Sequence, residues 1–324
     1  RAGCHTELPA GDWWRHDPVL VNCTCSQLGS FTVIQDVLGP EYVGEVTASE
    51  SLATWIGFSL SLWALAMATM ILGLLRAKTN SSAIYTNQAF CLLVAEGLYL
   101  IALKARATLV TYEVGCKLVA MGLHYVWLAA LCWWLVGSVH LYRMLTEIRD
   151  VNHGPMRVYY CLGYSLPAVV VGLAVGVRAD QYGNIAFCWL SLYESVIWSL
   201  LGPGTMVVFV NLAVLIFSLR AAFTLKDHVA GYGNLRTLLW LNVVSLPLVA
   251  AVWLLCLVSA SEHHSLLVYT LAVVLPVQAW FLLCGYCLGN ARVRAGLHRA
   301  LMQLLGHKLP PLPDDDLPRP SSSQ

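Results

Sequence analysis

Seven stretches of this chain, at 51–75, 83–103, 118–142, 158–177, 195–219, 237–261 and 265–289, carry no charged residue or a single one. Each is as long as the ~20 apolar residues that carry a helix across the ~30 Å hydrocarbon layer of a bilayer. Only helices and closed barrels satisfy their backbone polar groups in that layer. Barrel strands alternate polar and apolar residues over ~10 residues, and these stretches do not. The pattern predicts an all-α membrane protein, a seven-transmembrane helix bundle at 51–289.

Composition agrees with that reading. The 324 residues are 58% hydrophobic and 11% charged, against ~25% charged in soluble domains. The net charge of +1 gives no electrostatic basis for binding nucleic acid. The lipid bilayer is the partner that the composition demands. Of the 19 Lys and Arg residues, all but Arg1, Arg15, Lys104, Arg106, Lys117 and Arg178 fall on one side when the N-terminus is placed outside. That bias predicts an extracellular N-terminus and a cytoplasmic C-terminus.

Before the first span, residues 19–37 are rich in β-branched side chains and predict two short strands with a turn near Gln27 to Ser30. Residues 38–50, with Gly39-Pro40 and three Glu residues, read as a linker. After the last span, 290–305 sets Val293, Leu297 and Leu301 against Arg292, Arg294 and Arg299. This is the pattern of an amphipathic interfacial helix. The tail at 306–324 is Pro-, Asp- and Ser-rich and reads as disordered. No internal repeat is visible, which leaves the inverted-repeat plan of a transporter as a distant alternative.

Five of the 11 cysteines fall outside: Cys4, Cys23, Cys25, Cys116 and Cys188. Cys116 stands at the outer end of the third span and Cys188 in the longest exterior loop, 178–194. A disulfide between them is expected in an oxidising compartment, against two free thiols. Cys23 and Cys25 share one face of a strand, so they do not both pair with Cys4. A zinc site with His5 and His16 is the other reading of this group, at irregular spacing. The odd count, and a start at Arg1-Ala2-Gly3-Cys4 without Met or signal peptide, lead us to expect a piece of a longer polypeptide. Asn22-Cys23-Thr24 is a glycosylation acceptor on the exterior segment. Asn80-Ser81-Ser82 has the same form, but the topology places it inside.

Within the spans, Glu96 is the one acid, and intramembrane charges mark functional positions. The plainer reading has it facing a water-filled mouth. His124 and His140 carry the same choice, with an interfacial anchor as the plain account of His140. Pro167, Pro203, Pro247 and Pro276 interrupt spans four to seven, where each removes a backbone hydrogen bond. There is no nucleophile–base–acid set, HExxH or Gly-rich phosphate loop. No cofactor or metal is implied. The sequence argues for a receptor over an enzyme or a pore.

Several of these stretches resemble the adhesion class of G-protein-coupled receptors. Gly3-Cys4 through Trp13-Trp14 to Cys23-Thr24-Cys25-Ser26 looks like the last half of that class's autoproteolysis-motif domain, assigned here to 1–37. The resemblance implies a Cys4–Cys25 disulfide. Bundle motifs match as well: Gly163-Tyr164-Ser165-Leu166-Pro167, Cys188-Trp189-Leu190, Val252-Trp253-Leu254-Leu255 and Gln278. Longer loop stretches are similar to seven-pass cadherins of the Flamingo (Starry night) type, in their arthropod form. These are His140-Leu141-Tyr142-Arg143-Met144-Leu145, His153-Gly154-Pro155-Met156-Arg157, Tyr182-Gly183-Asn184 and the run from Ala222 to Trp240.

That resemblance implies a plasma-membrane receptor at cell–cell contacts that organises planar cell polarity. It implies cadherin-repeat ectodomains that bind the same protein on neighbouring cells. Frizzled, Van Gogh and a heterotrimeric G protein are the further partners implied. A secretin-class peptide-hormone receptor is the alternative. By the same resemblance, Phe31, Val33 and Ile34 belong to a tethered-agonist strand. Trp189, Trp253 and Gln278 then line the bundle pocket, and His140, Leu141 and Tyr142 form a cytoplasmic switch region.

Two departures stand out. By the resemblance, vertebrate relatives carry an acid where this chain has Gly137 and a His where Tyr85 aligns; if those two groups interact to hold the inactive bundle, both partners are lost here, which bears on conventional G-protein switching. Self-cleaving members carry His-Leu followed by Thr or Ser, where this chain has Gln27, Leu28 and Gly29. Cleavage needs a base that frees a hydroxyl to attack the preceding carbonyl. Gly29 has no side chain, and Gln27 is not a base. The chain is therefore expected to stay whole when expressed with its ectodomain. On a denaturing gel, a quantitative split between Leu28 and Gly29 would refute this.

Overall fold

The computed structural model describes residues 4–7, 22–25, 48–74, 79–104, 112–147, 150–183, 188–190, 195–224, 233–261, 265–289 and 291–305. The expected tail at 306–324, the turn at 27–30 and the tethered segment lie outside them. The chain divides into two units, Arg1–Glu41 and Tyr42–Gln324.

In the first unit, β1 (Cys4–Glu7) pairs antiparallel with β2 (Asn22–Cys25). The register sets Cys4 opposite Cys25 and Thr6 opposite Cys23. One strand of the hairpin expected within 19–37 is present as β2, and the other lies outside the described residues. The described partner of 22–25 comes from 15 or more residues upstream, a pairing set by long-range register and not by local propensity.

Among the described residues, the second unit holds seven helices long and apolar enough to cross a membrane. They are α1 (Ala48–Leu74), α2 (Asn80–Lys104), α3 (Glu113–Thr146), α4, α5 (Trp198–Thr224), α6 (Gly233–Ser261) and α7 (Ser265–Leu282). The chain is a multi-pass membrane protein. Helix α1 starts at Ala48, so the last three residues of the expected linker are helical; Ala48, Ser49 and Glu50 contain no helix breaker. After α7 comes a further helix, α8 (Ala291–Leu304), where the amphipathic pattern predicted one.

Helix α4 is composite. Arg157–Tyr160 is α-helical, Cys161–Ser165 forms a π turn, and Leu166–Arg178 is α-helical again. Pro167 explains this. It has no N–H, and its ring clashes with the carbonyl four residues back. The wider turn, with Leu166 N–H donating to the Cys161 carbonyl, accommodates both. A second π turn, Leu283–Leu288, follows α7 and closes with Gly289 N–H on the Cys284 carbonyl at 2.7 Å. Leu283, Tyr286 and Cys287 of this turn are buried in the core.

Helix α3 is the centre. In its core window 61% of residues are buried, against 17% for α4. It packs on α2, α4, α5 and α6, while α1 packs on α7 and α2. Close approaches depend on missing side chains. A Cβ on Gly204 of α5 would lie 2.3 Å from the Trp253 ring, and one on Gly163 would lie 2.4 Å from Trp133. On α4, Gly172 has nothing within 4 Å. Overpacking of this kind costs about 1–3 kcal/mol. Gly204→Ala and Gly163→Ala are therefore expected to lower the apparent Tm of the detergent-solubilised chain by several degrees. Gly172→Ala should leave it unchanged in the same thermal-shift series.

Candidate functional site

The densest polar contacts gather where α2 begins, α3 ends and α4 begins. Thr79 precedes α2, and its Oγ1 accepts the Ser82 N–H at 3.4 Å, a cap for the helix N-terminus. The next two residues reach across to the connection between α3 and α4. Asn80 Nδ2 donates to the carbonyls of Val151 and Gly154, both at 2.9 Å. Ser81 donates to Asn152 Oδ1 twice, from its amide at 3.0 Å and its hydroxyl at 2.9 Å.

His140 stands at the centre of this region. Its Nδ1 lies 2.9 Å from Tyr159 Oη. Its Nε2 lies 3.3 Å from Asn152 Oδ1 and 3.2 Å from Ser81 Oγ. Arg143 Nη1 donates to Tyr159 Oη at 2.8 Å. Donors and acceptors balance with one ring proton, on Nε2. Tyr159 then donates to Nδ1 and accepts from Arg143, while Asn152 accepts from Nε2. Arg143 also forks onto Glu147 one turn on, at 2.6 and 3.2 Å.

In the adjoining loop, His153 donates to Asp150 Oδ2 at 2.7 Å and the Asn152 amide to Oδ1 at 2.9 Å. Burial alone would raise the Asp150 carboxyl; these bonds outweigh it and hold the group below its ordinary value. Its contribution is present above the unfolded value of 3.8 and is lost as pH falls through the folded one.

His140 is 1% exposed, so it is an internal junction and not the interfacial anchor of the plain sequence account. Leu141 is buried with Leu145, Leu215, Leu235 and Leu239, joining α3 to α5 and α6. Tyr142 is exposed and takes no part. Ser81, Asn152 and Tyr159 were not singled out from the sequence. Asn80-Ser81-Ser82 was read as an unused glycosylation acceptor; with Asn80 buried and both contacts engaged, its structural role is plain.

One layer deeper, Tyr85 of α2 stacks on Tyr286 of the second π turn, ring centres 3.8 Å apart. Gly137 of α3 leaves room beside it: an added Cβ would sit 3.5 Å from the Tyr85 ring. Ser138 donates to Asn242 Oδ1 at 3.1 Å, and Trp134 Nε1 to Ser245 Oγ at 3.4 Å. Neutral side chains and an aromatic stack thus join α2, α3, α6 and the end of α7. Asn242 and Ser245 were missed because the sequence reading weighed only ionisable intramembrane residues.

At the other end, Cys116 and Cys188 form a disulfide. Tyr182 is fully buried against His124, Oη to Nδ1 at 2.9 Å. Trp189 and Trp253 pack on one cluster with Leu128, Tyr182 and Ile197. Trp253 Nε1 also donates to Thr205 Oγ1 at 3.2 Å. Gln278 is half-buried on α7. Glu96 is 3% exposed, with Oε2 unpartnered. It therefore faces packed helices, not a water-filled mouth.

Asn152→Ala removes the acceptor of both Ser81 donors and one of the two partners of His140 Nε2, which keeps only Ser81 Oγ. Each buried group left unsatisfied costs about 1–3 kcal/mol. The expected outcome is a lower Tm and faster hydrogen exchange at residues 80–82, with Asn152→Asp, which keeps the acceptor, close to the parent.

Comparison with known proteins places this geometry. The family described as 7 transmembrane receptor (Secretin family) matches residues 48–283. The chain is similar to the Protocadherin-like wing polarity protein stan of Drosophila melanogaster, 49% identical over 96% of the chain. It is also similar to Cadherin EGF LAG seven-pass G-type receptor 1 of Homo sapiens, 36% identical over 87% of the chain. The chain spans 9% of the length of each of these relatives. The resemblance to seven-pass cadherins drawn from the loop motifs agrees with both. With seven spans, a family match across almost all of them and these relatives, the chain belongs to the secretin family of seven-transmembrane receptors.

Proposed function

We propose that this chain is the membrane module of an adhesion receptor at cell–cell contacts that organises planar cell polarity. The observation that carries the reading is 49% identity, sustained over 96% of the chain, to a wing polarity protein. The printed names of the relatives, a protocadherin-like protein and a seven-pass cadherin, favour it over a peptide-hormone receptor of the same family. The Lys and Arg distribution supports a plasma-membrane orientation with the N-terminus extracellular and the C-terminus cytoplasmic. The same protein on neighbouring cells, Frizzled-type and Van Gogh-type membrane proteins and a heterotrimeric G protein are the partners in this reading.

In that orientation the His140–Tyr159–Asn152 junction and Leu141 face the cytoplasm, where a partner would read the bundle. Tyr142, exposed beside them, offers a contact surface. Trp189, Trp253 and Gln278 serve as the extracellular pocket wall, and Phe31, Val33 and Ile34 as the tethered segment that fills it. A Cys4–Cys25 disulfide, supported by the strand register, and glycosylation at Asn22 complete the exterior unit.

The reading is tested in a polarised epithelium. The full-length receptor is compared with a version whose seven spans are replaced by one unrelated span. Recruitment to contacts should persist while polarity is lost; normal polarity would reduce the module to an anchor. A chain beginning at Gly29 is expected to raise basal G-protein signalling several-fold, and Phe31→Ala with Ile34→Ala to abolish the rise. A silent truncation, or a signal that ignores both substitutions, would overturn the tethered-segment assignment and leave a scaffold.

A further inference from the structure

At the disulfide end of the bundle, α4 and α5 part to leave an open groove on the outer surface. Its floor is apolar, built from Val170, Leu173, Ala174 and Val177 of α4 with Val196 ahead of α5. Its rim is polar: Arg178, the last residue of α4, with Ser195 and Ser199. Ser195 Oγ already donates to Gln181 Oε1 at 3.1 Å and Ser199 Oγ to the Val196 carbonyl at 2.5 Å. Arg178 is therefore the rim's donor toward a ligand. From Val170 to Arg178 is eight residues, about 12 Å along the helix axis.

The bilayer determines what meets this groove. Helix α4 is the least buried of the seven spans, and Leu173 and Val177 are 66% and 75% exposed. Trp198, 69% exposed at the start of α5, is of the type that sits at headgroup level. Arg178, at the same end, extends from an apolar helix with its cation toward that level. An apolar channel that opens on a guanidinium at headgroup depth has the polarity of a phospholipid. The planar fork of Arg matches a phosphodiester bidentately. A sterol would offer the cation a single neutral hydroxyl.

We propose that the α4–α5 groove is a binding site for one membrane phospholipid, with its phosphate on Arg178 and an acyl chain along Val177, Leu173 and Val170.

The test uses the delipidated chain in detergent, titrated with a phosphatidylcholine that carries a photoactivatable diazirine in one acyl chain. Crosslinks are mapped by mass spectrometry. They should concentrate on Leu166–Arg178 and the first turns of α5. Arg178→Ala should weaken labelling about tenfold, the scale of one charge-assisted contact, and Ala174→Trp, which fills the groove, should abolish it. Val169→Trp, exposed on α4 outside the groove, is the control, and all variants are checked for an unchanged Tm. A diacylglycerol probe without phosphate should label about as weakly as Arg178→Ala does. Labelling spread evenly over the exposed helices, equal labelling by diacylglycerol, displacement by cholesterol but not by phosphatidylcholine, or a crosslinked dimer that excludes the probe would each overturn the proposal.

Discussion

The hydrocarbon layer has no water to receive a hydrogen bond, and that absence organises this protein. Each polar side chain placed in a span has to find its partner within the protein. Many do so locally. Thr69, Thr86, Asn87, Asn211, Ser218 and Asn242 each donate to the carbonyl four residues back on their own helix. Others reach across and become the contacts that fix one helix to another, as Ser138 does with Asn242. The π turn before Pro167 answers the same demand in the backbone, since it reroutes the bonds that proline cannot make. Among the described residues, the buried atoms left over are few: Glu96 Oε2, His124 Nε2, Trp133 Nε1 and Asn211 Oδ1.

Helix α3 distributes these contacts over the length of the bundle. At its start it is bonded covalently through Cys116 to the Cys188 segment. Eight residues on, His124 holds Tyr182, which pairs through its backbone with Leu190. At its far end, His140 and Arg143 hold Tyr159. Both ends thus use one device, a histidine on α3 bonded to a tyrosine from the following segment. The two histidines are 16 residues apart, about 24 Å along the helix. The start of α4 and the segment after it are thereby tied to the most buried helix, although α4 itself packs little.

The layer around Gly137 is held without charge. The small residue makes room, and Tyr85 fills it and stacks on Tyr286. Such a layer has no ionic bond to break. Rearrangement would have to separate stacked rings and the Ser138–Asn242 bond.

The sequence by itself determined the seven spans and the amphipathic helix after them, because apolar length and helical periodicity are local properties that a bilayer reads directly. It also exposed the family through motifs such as His140-Leu141-Tyr142-Arg143 at the end of α3, whose residue types hydrophobicity does not dictate. Tertiary structure decided the rest. Only packing shows that His140 turns inward while Tyr142 turns out, or that Asn80-Ser81 meets Asn152 some 70 residues away. Those partners belong to a helix and a distant connection, and no periodicity within either one encodes the other. The strand pairing of Cys4–Glu7 with Asn22–Cys25 was missed for the same reason. What lies opposite a strand, or opposite a polar side chain in a membrane, is set by chain topology, and local sequence specifies only what must be satisfied.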